Sequence, residues 1–202
     1  MDIIADRLRN IPTYLFMQLR NKIKRIEANG VDCISLSIGD PDKPTPAYII
    51  ETLREAVLDP DNHQYPTDEQ KGMLAFREAV SRWYQRTYGV LLNPENEVLA
   101  LGGSKEGIHN FMMAVVNPGD IVLITNPGYP GYRANILMAG GSAYEVPLLE
   151  ESDFLPDIED IPEDICRKAK AFFLNYPNNP TGACANRDFF SRLVAWAKQR
   201  QI

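Results

Sequence analysis

Three short stretches carry residues able to hold a flat, phosphorylated ligand. In "LGGSKEG" (101–107), Gly102 and Gly103 let the backbone come close, Ser104 offers a hydroxyl where a helical pattern starts, and Lys105 adds an ammonium. A helix N-terminus so equipped suits a phosphate, because its first N–H groups point outward with partial positive charge. In "NPGYPGY" (126–132), proline and glycine fix the turn on both sides of Tyr129, whose ring can stack on a heteroaromatic ligand. In "NYPNNPTG" (175–182), Asn179 stands before Pro180, which pushes its backbone towards an extended conformation. A stiffened loop of that kind can aim a side-chain amide at a ligand oxygen. Singly, each stretch reads as a plain turn; at three successive strand ends they read as one site. Neither a Walker loop nor GxGxxG occurs, so a plain nucleotide site has no support.

Further candidates lie upstream. "SIGDPDKPTP" places Gly39 and Asp40 just past a strand pattern, where backbone can meet a carboxylate. Tyr65 precedes a proline turn in "HQYPTDEQKGML", a place for phosphate contact or simply for solvent. His63 and His109 stand alone, so no metal is expected. Cys33, Cys166 and Cys184 are an odd number without paired spacing and read as reduced thiols.

The elements that must position these residues follow from periodicity. Leu15, Leu19, Ile23 and Ile26 make one stripe of a helix that Gly30 stops. "CISLSIG" reads as a strand, and Thr45-Pro46 as cap and first residue of a helix. Asp68 is expected to cap another, with Phe76, Val80 and Trp83 on one face. From Glu97 the pattern alternates. "EVLAL", "IVLI", "AYEVPL" and "AFFL" are expected strands, with helices near 104–115, 130–139 and 186–201. "IVLI" and "AFFL" are continuously apolar, as strands covered on both faces of a parallel sheet are. The fold class is therefore α/β, a mostly parallel sheet with crossover helices. The last helix carries Phe190, Val194 and Ala197 on one apolar face, expected to lack a covering partner. A crossover unit needs another strand after it and none follows, so the sheet is expected to be incomplete.

With 202 residues, 45% hydrophobic and 24% charged, the composition is that of an ordinary globular protein. A net charge of −6 without a basic cluster excludes a nucleic-acid surface. The run "FMMAVV" is far too short for a bilayer, and the first ten residues lack the apolar core of a signal peptide. A cytoplasmic location without membrane attachment is the expectation.

"SLSIGDPDKPTP", "YPTDEQKGMLAFREAVSRWY", "GSKEGI", "NPGYPGY" and "NYPNNPTG", in this order and spacing, resemble the fold-type I, class I/II pyridoxal-phosphate aminotransferases. Within that family, "IPTYLF", "GSKEGI" and "PDNHQYP" look most like the LL-diaminopimelate aminotransferases, and the likeness spans essentially the whole chain. It implies that residues 1–44 are an N-terminal arm and small-domain segment, and 45–202 a large cofactor-binding domain, truncated. It implies that Ser104 and Lys105 meet the phosphate of pyridoxal 5′-phosphate, that Tyr129 stacks on its ring and that Asn179 bonds its phenolic oxygen. Tyr65 would reach the neighbouring subunit's phosphate in a homodimer. Tyr14, Gly39 and Lys105 would contact substrate.

The implied reaction is transamination of LL-diaminopimelate with 2-oxoglutarate, giving tetrahydrodipicolinate and glutamate in lysine and peptidoglycan synthesis. An aspartate, alanine or aromatic donor stays open, as does a non-catalytic module for a phosphorylated ligand or a fragment that only assembles with an intact partner. The resemblance also marks a departure. The family's Schiff-base lysine, the acidic partner of the ring nitrogen and the carboxylate-clamping arginine all fall beyond "NNPTG". No catalytic residue is therefore assigned in this chain, which is expected to be an N-terminal half, poorly active and poorly soluble alone.

Overall fold

Along the chain come α1 (Asp6–Arg9), α2 (Leu15–Glu27), α3 (Ala47–Leu58), α4 (Leu74–Tyr88), α5 (Ser104–Val115), β1 (Ile121–Asn126), α6 (Gly131–Met138), β2 (Ser142–Pro147), α7 (Glu163–Cys166), β3 (Ala169–Phe173) and α8 (Arg187–Arg200). The structure is a computed structural model that describes residues 3–11, 15–36, 39, 41–65 and 71–202. These group into two units, 1–29 with 104–202, and 30–103.

In the first unit the strands run parallel in the order β2-β1-β3. β1 is the middle strand, so both its edges are paired and both its faces covered. Val122 and Ile124 point to one face, where they pack with Met112 and Val116 of the α5 region and Tyr132 and Ile136 of α6. Leu123 points to the other, against Phe189, Leu193 and Trp196 of α8. Burying a side chain of that size contributes about 1.5–3 kcal/mol, so these two clusters are what hold the sheet between its helices. Asn186 caps α8, its Oδ1 accepting from the Phe189 N–H at 2.8 Å.

α8 does have a covering partner, the sheet, and the stripe it buries is not the face of Phe190, Val194 and Ala197. Phe190 and Val194 are 39% and 49% exposed, while Phe189, Leu193 and Trp196 are at most 7% exposed. Both triplets have helical spacing; the covering sheet selects the second. The α2 stripe holds where described, with Leu19, Ile23 and Ile26 half-buried.

In the second unit, α3 starts one residue later than expected, with Pro46 at its cap and no side-chain capping bond, and α3 buries no residue. Gly89, in the left-handed region at φ 69°, ends α4. The residues α4 buries are Arg77 and Ser81, in place of the expected Phe76, Val80 and Trp83 face. Arg77 donates to the carbonyls of Gly72 (2.9 Å) and Pro94, and Ser81 Oγ to Leu92 O at 2.6 Å. These bonds tie the segment after α4 back onto the helix. "EVLAL" forms no strand among the described residues; Ala100 N–H donates instead to Lys71 O at 2.9 Å. "CISLSIG" likewise shows no strand where it is described, and Asp68 lies outside the described residues.

Candidate functional site

Ile124 of β1 stands opposite Phe173 of β3, so the two parallel strands deliver their loops to the same sheet edge. The loop after β1 carries Tyr129 and the loop after β3 carries Asn179. α5 arrives there from the opposite direction. Its C-terminus feeds β1 through the turn at 117–120, its Phe111 ring meets Phe173 at 5.6 Å, and Ile108 packs on the cluster that includes Tyr129. A helix feeding the start of a strand and lying back along it has its first turn at that strand's far end. Ser104 and Lys105, both exposed, occupy this first turn. Ligands in open α/β sheets bind outside the carboxyl ends of the strands, which is this edge.

Tyr129 is held rather than merely placed. Its half-buried ring lies over Gly131, where a β-carbon would overlap it. Its edge contact with Tyr132 has ring centroids 5.3 Å apart, and Tyr132 in turn meets Phe173 at 5.2 Å. Burial, with a smaller effect of Tyr129, raises the Tyr132 pKa, so this phenol stays neutral through ordinary pH. Gly128 fits against the Thr125 carbonyl, where no side chain would. Behind the turn, Glu145 of β2 accepts from Asn126 Nδ2 at 2.9 Å and pairs with Arg133 of α6. His109 of α5 and Asn135 of α6 are joined by a 3.0 Å hydrogen bond.

The loop after β3 turns around Asn178. This side chain is 3% exposed, and its Oδ1 accepts from Thr181 Oγ1 at 2.9 Å and Thr181 N–H at 3.3 Å. Asn179 is exposed beside it, and the Asn179–Pro180 peptide bond is cis. Three buried polar atoms here have no hydrogen-bond partner among the described residues: Thr125 Oγ1, Asn175 Oδ1 and Asn178 Nδ2. All belong to the last residue but one of β1 or to the loop leaving β3. Sequence reasoning singled out Asn179 and missed Asn178; the available signal was an asparagine three residues before a threonine, the spacing of a side-chain-closed turn.

The other expected site residues do not belong to the described part of the first unit. Gly39 and Tyr65 belong to the second unit, where both are exposed, Tyr65 at 87%. Tyr14 lies outside the described residues. Two hollows of the first unit are lined by other residues. One, about 540 Å³, lies between the 152–159 segment and α8; the other, about 740 Å³, between 150–155 and 181–186. Ser104, Tyr129 and Asn179 line neither.

The donor set fits a planar ring bearing a phosphate. The first turn of a twelve-residue helix, a serine hydroxyl and a lysine ammonium answer the anion. A fixed tyrosine face and an exposed amide answer the ring, and unpartnered buried polar atoms lie at the same edge.

Residues 31–202 match the family model for aminotransferase class I and II, and the chain belongs to that family, whose members depend on pyridoxal 5′-phosphate. Its relatives narrow the likeness. The chain is 51% identical over 198 residues to LL-diaminopimelate aminotransferase of Halothermothrix orenii, covering 98% of this chain and 50% of that protein. It is 52% identical over 198 residues to LL-diaminopimelate aminotransferase of Moorella thermoacetica, with the same coverage. Among solved structures, apo-BacF from Bacillus subtilis superposes with a TM-score of 0.92 at 44% identity, over 100% of this chain and 51% of that one. The chain thus spans about half the length of the curated relatives it matches. The expected α/β fold of this family is the one observed.

Proposed function

We propose that this chain forms the phosphate- and ring-holding part of an aminotransferase that acts between LL-diaminopimelate and 2-oxoglutarate, yielding tetrahydrodipicolinate and glutamate. The observation that supports it is that the loops carrying Tyr129 and Asn179 leave the same end of two paired parallel strands, with α5 packed along them. Relatives about half identical to the chain, named LL-diaminopimelate aminotransferase, support the choice of donor.

In this reading Ser104 Oγ and the first N–H groups of α5 hold the cofactor phosphate, with the Lys105 ammonium balancing its charge. Tyr129 covers one ring face and excludes water from it. Asn179 donates to the ring oxygen, which favours the oxygen's anionic form. The bound cofactor supplies an electron sink that acidifies the carbon carrying the substrate amine. Gly39, Tyr14 and Lys105 contact substrate, and Tyr65 reaches the phosphate of a neighbouring subunit, so the working unit is a homodimer. Residues 1–44 are then an arm and small-domain segment and 45–202 the large domain. In this reading the enzyme works in the cytoplasm.

The test is a rate comparison on the whole protein containing this chain, with 2-oxoglutarate as acceptor. LL-diaminopimelate should react at least about tenfold faster than aspartate, a difference of roughly 1.4 kcal/mol in transition-state binding. Equal rates with aspartate would remove the assignment of the donor.

A further inference from the structure

Two adjacent asparagines share the loop after β3, and they are in opposite situations. Asn179 is exposed; Asn178 is 3% exposed and is the most hydrogen-bonded residue of its turn. The Asn178 N–H donates to Ala183 O at 2.8 Å and its carbonyl accepts from the Gly182 N–H at 2.7 Å. Its Oδ1 takes both the hydroxyl and the N–H of Thr181, at 2.9 and 3.3 Å. Thr181 Oγ1 then accepts from the Ala183 N–H at 3.2 Å, closing the ring of bonds. The chain between the pinned residues 178 and 181 is only Asn179 and Pro180, and Pro180 has a locked φ.

We propose that Asn178 is the positioning residue for Asn179, its buried carbonyl oxygen clamping Thr181 so that the exposed amide is held at the sheet edge before any ligand arrives. The proposal rests on the reading of Asn179 as the donor to a ring oxygen. The clamp works through the acceptor Oδ1. The amide Nδ2 has no partner and takes no part in the clamp. An aspartate would keep the acceptor and delete the unpartnered donor; an alanine would delete both.

The experiment measures amide hydrogen exchange at Thr181, Gly182 and Ala183, and the affinity for pyridoxine 5′-phosphate, a probe without an aldehyde to react with surface lysines. Asn178→Ala should speed exchange at these amides by about tenfold or more, because the loop then opens locally. Its affinity should fall to that of Asn179→Ala, and the double variant should lose no more than Asn179→Ala alone, as expected for residues acting as a unit. Asn178→Asp should restore slow exchange. Thr181→Val, which removes the hydroxyl from the other side of the clamp, should reproduce the fast exchange in a folded chain and decides the matter where Asn178→Ala does not fold. Exchange unchanged in Asn178→Ala or in Thr181→Val, or losses that add in the double variant, would overturn the proposal. Unchanged affinity in Asn179→Ala would instead remove the ligand role of Asn179 and leave the clamp to be judged by exchange.

Discussion

The ring of Tyr129 fills the space in which a β-carbon on Gly131 would stand. The residue two positions along the chain thus sets the plane of the aromatic face offered at the sheet edge. What yields to a larger residue at 131 is the outer part of the Tyr129 ring, whose Cε1 and Cζ are the nearest atoms, and not backbone.

Gly131→Ala should therefore change stability little, by less than about 1 kcal/mol, while turning the Tyr129 ring. An aromatic stacking contact is worth about 0.5–1.5 kcal/mol, so affinity for pyridoxine 5′-phosphate should drop by roughly two- to tenfold. A titration with the probe, paired with a denaturant melt, separates the two effects. Normal affinity in a variant whose ring has moved would argue against stacking.

Ser104→Ala tests the phosphate contact. A hydrogen bond to a charged group contributes about 1.5–3 kcal/mol, so binding of pyridoxine 5′-phosphate should weaken by about tenfold or more. Binding of pyridoxine, which lacks the phosphate, should be unchanged. Calorimetric titrations with the two compounds give both numbers.

Much of this arrangement is legible from residue types alone. The helix at 104–115 follows from a glycine-serine start and apolar spacing, and the observed α5 has those bounds. Strands β1 and β3 follow from continuous apolar runs, though β3 begins two residues before "AFFL". Periodicity fails where two stripes are equally good. In α8, Phe190, Val194 and Ala197 have the same helical spacing as Phe189, Leu193 and Trp196, and only the facing sheet distinguishes them. Composition fails at α4, where an arginine is buried because three acceptors surround it: the carbonyls of Gly72 and Pro94, and the Glu95 carboxylate at 3.6 Å. Propensity fails at "EVLAL", since a strand needs a neighbour to pair with. Within the site, Tyr129 and Asn179 were visible from turn chemistry. Of their supports, Asn178 leaves a turn signal in its spacing to Thr181, while Gly131 and Tyr132 become visible as supports only through contacts.

The cap of α8 is a separate, local source of stability. Asn186→Ala leaves the Phe189 N–H without its acceptor and should cost about 1 kcal/mol. Urea unfolding should show a lower midpoint with an unchanged slope.

Tyr176 links stability to alkaline pH. Burial pushes its pKa up to about 12, and its hydroxyl donates to the Phe154 carbonyl at 2.7 Å. The unfolded phenol ionises near the ordinary value of 10 while the folded one stays protonated, so the folded state holds the extra proton. Its contribution is complete below pH 10 and is lost as pH rises from about 10 towards 12. Tyr176→Phe should flatten that part of the stability profile relative to the wild type. Tyr132 shifts in the same direction, which is why the difference between the two proteins is the quantity to compare.

The most direct test of one shared ligand edge is a map of backbone amide shifts on adding pyridoxine 5′-phosphate, with pyridoxine as the control. The perturbed residues should cluster at 104–108, 127–132 and 178–182, and the phosphate-dependent part should concentrate at the start of α5. Shifts confined to the hollow between 152–159 and α8, or absent from one of those three segments, would contradict a common grip on a phosphorylated ring.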